Sequence, residues 1–78
     1  MNQHLSEILT NDPDYLDRWI TENETAKFTG YTIRCLQNWR VRGEGPPFIK
    51  VSGRAIRYRR RDLIGWAEHR LRNSTSET

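Results

Sequence analysis

The chain has one cysteine, two histidines and no long apolar run. A single thiol forms no internal disulfide, and Cys35 with His4 and His69 is too sparse for a zinc site, which takes four ligands at regular spacing. No metal and no cofactor are expected. The longest apolar stretch, Leu63 to Ala67, is broken by Gly65 and falls far short of the ~20 residues that a membrane helix needs. No signal-peptide pattern is present, so a cytoplasmic location without a membrane partner is expected. The sequons Asn23-Glu24-Thr25 and Asn73-Ser74-Thr75 are then coincidental. At 78 residues the chain makes one small domain with a limited core and no large substrate pocket. No nucleophile, base and orienting residue can be assembled, which argues against an enzyme.

Charge is present in abundance, unevenly distributed. From Arg34 to Arg61 there are nine basic residues against Glu44, whereas from Met1 to Glu24 there are six acids against Arg18. The basic half is suited to a polyanion and the acidic half is not, so a directional surface is expected.

The stretch Thr32 to Arg42 organises the rest. Ile33, Leu36 and Trp39 recur every three residues and form one apolar stripe on a helix, while Arg34, Gln37, Asn38 and Arg40 point elsewhere. Arg, Gln and Asn match the donor and acceptor patterns of guanine and adenine edges in a major groove. Thr32 is in place as the N-cap. A shorter helix precedes it: Thr21-Glu22-Asn23-Glu24 is a capping box, and Gly30 ends the helix after Thr29. Two short helices joined by Gly30-Tyr31-Thr32 describe a helix-turn-helix with the second helix as reader.

Gly43-Glu44-Gly45-Pro46-Pro47 stops any helix. Phe48 to Val51 and Arg54 to Tyr58 then read as a β-hairpin around Ser52-Gly53, with Ile49 opposite Ile56. Val51 and Tyr58 share one face in that register, and Lys50, Ala55 and Arg57 the other. A last helix runs from about Arg60 to Arg72, with Leu63, Trp66, Ala67 and Leu71 on its buried stripe. Trp39, Trp66 and Tyr58 fall on packing stripes and are expected in the core. Arg59, Arg60 and Arg61 fit a phosphate clamp, the linker into the last helix or a solvated run equally well. The expected fold is α+β, mostly α: a small winged helix-turn-helix of two short helices, a two-stranded hairpin wing and a C-terminal helix. It spans residues 19–72, after a weakly ordered or briefly helical extension over 1–18 and before a disordered tail at 73–78.

Gly30-Tyr31-Thr32-Ile33-Arg34-Cys35-Leu36-Gln37-Asn38-Trp39, Gly43, Pro46-Pro47-Phe48, Lys50, Gly53, Arg57-Tyr58 and Asp62-Leu63-Ile64-Gly65-Trp66 together resemble the short MerR-like helix-turn-helix proteins. That family includes phage and mobile-element excisionases and AlpA-type regulators. Thr25 and Thr29 stand where it usually has small or aliphatic core residues. The resemblance implies that the second helix enters the major groove and that the wing touches backbone or minor groove. Carried over, the recognition-helix residues are Thr32, Arg34, Gln37, Asn38 and Arg40, and the wing contacts are Lys50, Arg54 and Arg57. Arg42, Arg59 and Arg60 are candidate phosphate contacts. The partner implied is double-stranded DNA. The function implied is that of an excisionase, which binds cooperatively and head to tail on direct repeats near an attachment site and steers an integrase toward excision. The alternative is a small transcriptional regulator of a phage or integrative element. Full-length MerR regulators add a long dimerisation helix and an effector domain; without these, no small-molecule effector is expected. A reading of another class is an RNA-binding or adaptor module whose acidic half meets a protein.

Overall fold

The computed structural model describes the backbone of residues 2–77 and the side chains of residues 5–71. Its elements are α1 (Asn2–Asn11), β1 (Trp19–Ile20), α2 (Glu22–Thr29), α3 (Ile33–Arg42), β2 (Ile49–Ser52), β3 (Ala55–Arg59) and α4 (Arg60–Glu77). This is a small, mostly helical α+β fold with the organisation of a winged helix-turn-helix.

Local chemistry fixes the two central helices. The Thr21 hydroxyl accepts from the Glu24 amide at 3.1 Å, and the Glu24 carboxylate accepts from the Thr21 amide at 2.9 Å. Both halves of the capping box are therefore formed. The Thr21 amide, and after it the Thr21 hydroxyl donating to the same carboxylate at 3.1 Å, hold the Glu24 carboxyl below its ordinary value of 4.5. Gly30 adopts the left-handed conformation at φ 85° and donates its amide to Ala26 O at 2.8 Å. Thr32 caps α3 by accepting from the Cys35 amide at 3.0 Å.

Thr25 is fully buried in α2. Its hydroxyl donates to the Thr21 carbonyl at 2.8 Å, and the Thr29 hydroxyl donates to the Thr25 carbonyl at 2.8 Å. A hydroxyl satisfied by its own helix can enter a core at little cost, so threonine serves where an aliphatic residue is usual.

The sheet has three antiparallel strands in the order β1-β3-β2. β2 and β3 form the expected two-stranded hairpin, and a short third strand adds to it, Trp19 pairing with Arg59 and Ile20 with Tyr58. The hairpin register also differs from the alternation pattern. The turn is Gly53-Arg54, Lys50 faces Ile56 and Ile49 faces Arg57, with an irregularity between Lys50 and Ser52. Gly53 has φ 44°, and placing that positive φ first in the turn moves the pairing by one residue.

Ile20, Tyr58 and Leu63 form the buried cluster, with Ile56 packed against it. Leu36 is fully buried as well. Each such side chain contributes about 1.5–3 kcal/mol of hydrophobic stabilisation. A second, aromatic group joins α3 to α4: Trp39 lies 4.9 Å from Tyr31 and 5.3 Å from Trp66 between ring centroids. Arg70 stacks on both tryptophans, at 5.7 and 5.1 Å. Gly45, at φ 86°, runs so close that a Cβ there would sit 2.8 Å from the Trp39 Cβ.

Residues 2–11, within the extension expected to be weakly ordered or briefly helical, form α1, with Leu5, Ile8 and Leu9 half-buried. Residues 13–17 follow as turns. At the other end α4 continues to Glu77, past the expected end near Arg72. Met1 and Thr78 lie outside the described residues.

Candidate nucleic-acid interface

Burial divides α3 into two sides. Leu36 is buried and Ile33, Cys35, Trp39 and Arg40 are half-buried, whereas Arg34, Gln37, Asn38, Val41 and Arg42 are exposed. Positions 34, 37, 38 and 41 follow the i, i+3, i+4, i+7 spacing of one helix face. Arg34 has no ion pair among the described residues. The face thus offers one free guanidinium, two side-chain amides and one aliphatic group to the solvent.

Arg40 does not belong to that face. Its position, seven after Ile33 and four after Leu36, places it on the inward stripe, where its side chain is 17% exposed. It pairs with Glu22 at the start of α2, donates to the Tyr58 hydroxyl of β3 at 2.8 Å and lies 5.7 Å from the Phe48 ring centroid. Burial alone would lower the Arg40 value, but the contacts with Tyr58 and Glu22 outweigh it and raise it. Burial raises the Tyr58 phenol, against the opposing pull of Arg40. This network links α2, α3 and the root of the wing.

On the wing, Lys50 and Arg54 are exposed, and Arg54 lies in the turn itself. Arg57 is half-buried and donates to the Ile56 carbonyl at 2.8 Å. Arg42, just past Val41, makes only a loose pair with Glu44 at 3.8 Å, both side chains being 58% exposed. Thr32 is occupied as the cap of α3.

The three consecutive arginines entering α4 are each engaged by neighbouring groups, although Arg61 is exposed and Arg59 and Arg60 are half-buried. Arg59 makes two bonds of 3.2 Å to Asp62 and stacks on Trp19 at 5.1 Å. Arg60 donates to the Tyr15 carbonyl at 2.9 Å and covers the Tyr15 ring at 4.1 Å. Arg61 pairs with Asp17 at 2.6 Å, and its amide donates to Leu16 O at 2.9 Å. Cations at a helix start oppose the macrodipole; here Asp17 and Asp62 supply the compensating charge. The hydrogen bond from Arg61 holds the Asp17 carboxyl below its ordinary value. Arg59 and Arg60 thus serve as staples between α4 and the preceding chain.

Sequence reasoning gave no place to Val41, an exposed aliphatic residue standing seven positions after Arg34 on an otherwise polar stripe. That spacing was the available signal. It also missed the inward turn of Arg40, which the same spacing foretells.

Searches of curated proteins and of solved structures return no match. A family model described as a helix-turn-helix domain matches residues 19–71, more than half of the chain and all of the region from β1 to Leu71. No helix among the described residues is long and apolar enough to cross a membrane. With α2 and α3 capped and joined through Gly30 as that motif requires, the chain belongs to the helix-turn-helix family of DNA-binding proteins.

Proposed function

We propose that the protein is an excisionase: it binds double-stranded DNA beside an attachment site, cooperatively and head to tail on direct repeats, and steers an integrase toward excision. The observation that carries the DNA-reading part is the exposed stripe Arg34, Gln37 and Asn38 on a helix whose opposite side is packed. Gln and Asn read adenine edges bidentately and Arg reads guanine. Lys50 and Arg54 of the wing, with Arg57 and Arg42, supply contacts to the phosphate backbone. The excision role is supported by the resemblance of residues 30–39, 46–48 and 62–66 to the short excisionase-type proteins. Cooperativity follows from size, because one copy makes few base contacts and adjacent copies add selectivity.

Footprinting on DNA that carries the attachment region tests this directly. Protection should spread across neighbouring repeats as protein concentration rises. Four phosphate contacts (Arg42, Lys50, Arg54 and Arg57) predict that log affinity falls with log salt at a slope of about −3.6. Gln37→Ala or Asn38→Ala should relax base choice, whereas Arg54→Ala should weaken binding to every duplex alike. A flat salt response would remove the DNA-reading role of these residues. Protection of one promoter site without spreading would replace excision by transcriptional regulation of a phage or integrative element.

A further inference from the structure

We propose that Val41 is a specificity-determining residue that packs against the C5-methyl group of a thymine in the major groove. The inference rests on the reading of α3 as the groove-facing helix and adds a contact that the polar residues cannot make.

Val41 is 87% exposed, more than any other large hydrophobic among the described residues. The fold does not account for it. It is not part of the buried cluster around Tyr58, and an exposed valine favours a helix less than alanine, lysine or glutamate would. Its place on the helix does account for it. Arg34, Gln37, Asn38 and Val41 stand at i, i+3, i+4 and i+7, the spacing with which a helix lying along a major groove presents four side chains to the bases. Seven residues of helix rise about 10 Å, which corresponds to about three base-pair steps of ~3.4 Å.

The first three of these side chains carry hydrogen-bonding groups, and the fourth carries only methyls. The apolar feature of a base-pair edge in the major groove is the thymine methyl. Valine suits it: branching at Cβ fixes one χ1 rotamer on a helix, so two methyls are presented with little entropy to lose on contact. A thymine about three steps from the base opposite Arg34 is therefore the expected partner.

The test begins by selecting bound sequences from a random duplex pool with the wild-type chain. Each thymine of the selected site is then replaced singly by deoxyuridine, which removes the methyl and nothing else. One position should weaken binding about fourfold, the equivalent of one buried methyl-sized group. Val41→Ala should bind the thymine duplex with a comparable loss and should no longer distinguish thymine from deoxyuridine there. Its melting temperature should equal or slightly exceed that of the wild type, since the side chain is exposed and alanine favours a helix more than valine. Equal affinity for every deoxyuridine duplex overturns the proposal, as does a methyl preference that survives in Val41→Ala. Selection of no sequence at all would overturn the groove-facing role of α3 together with it, so the two failures are distinguishable.

Discussion

Replacing Arg40 by alanine separates a residue that holds the fold from one that touches DNA. The substitution deletes the donor to Tyr58, a phenol 1% exposed, at 2.8 Å, and strips Glu22 of its partner. A hydrogen bond from a charged donor is worth about 1.5–3 kcal/mol. The ion pair, with side chains 17% and 22% exposed, adds roughly 0.5–1 kcal/mol after screening by solvent. A loss of about 2–4 kcal/mol is a large share of the ~4–12 kcal/mol expected for a chain of this size. At about 4–8 °C per kcal/mol, Arg40→Ala should melt roughly 10–30 °C lower, as followed by circular dichroism. Tyr58→Phe keeps the Glu22 pair and should lose about three quarters as much. DNA binding, measured at 10 °C to keep both variants folded, should retain the wild-type salt slope, because no phosphate contact has been removed. An unchanged melting temperature for Arg40→Ala, with a salt slope shallower by about 0.9, would refute this and make Arg40 a phosphate contact.

Three further outcomes follow from the geometry. Leu36→Ala empties a fully buried site beneath α3 and should cost about 2–5 kcal/mol; a urea midpoint equal to that of wild type would contradict the packing described. Gly45→Ala combines a left-handed φ of 86° with a Cβ placed against Trp39; about 2–3 kcal/mol of destabilisation is expected, read as a lower melting temperature and altered tryptophan fluorescence, and wild-type behaviour in both would count against that close approach. The Glu24 carboxyl sits below its unfolded value of 4.5 because Thr21 donates to it. Its stabilising contribution is therefore full above about pH 4.5 and is lost as pH falls through the folded value. Melting temperature should drop between pH 5 and 3, and Glu24→Gln should drop less steeply; parallel acid limbs for the two proteins would show that Glu24 is not a source of the effect.

What the sequence discloses is mostly what neighbours along the chain decide. Thr21 with Glu24, Thr32 and Gly30 announce the ends of α2 and α3 because caps are settled within four residues. The stripe Ile33, Leu36, Trp39 likewise announces which side of α3 is packed. The wing register is less legible, because apolar alternation from Ile49 to Tyr58 fits two pairings and the φ of Gly53 chooses between them. β1 has two residues, too few for any periodicity, and exists only because β3 offers it an edge. The fates of Arg59, Arg60 and Arg61 depend on Trp19, Tyr15 and Asp17, at least 40 residues away in the chain. No local pattern tells such arginines from free ones.

The Arg40 network has a mechanical consequence. Through Glu22 and Tyr58 it ties the reader to the root of the wing, and β1, which pairs with β3, ends at Ile20, one residue before the Thr21 cap. Force applied at either point is thus carried to the other through short, bonded paths, and the two act as one stiff jaw. Should α3 and the wing both seat on a duplex as proposed, a mismatch between that jaw and straight DNA would pass strain into the nucleic acid, whose pyrimidine-purine steps yield most readily. Sites containing such steps between the segments gripped by α3 and by the wing would then be favoured without any side chain touching them.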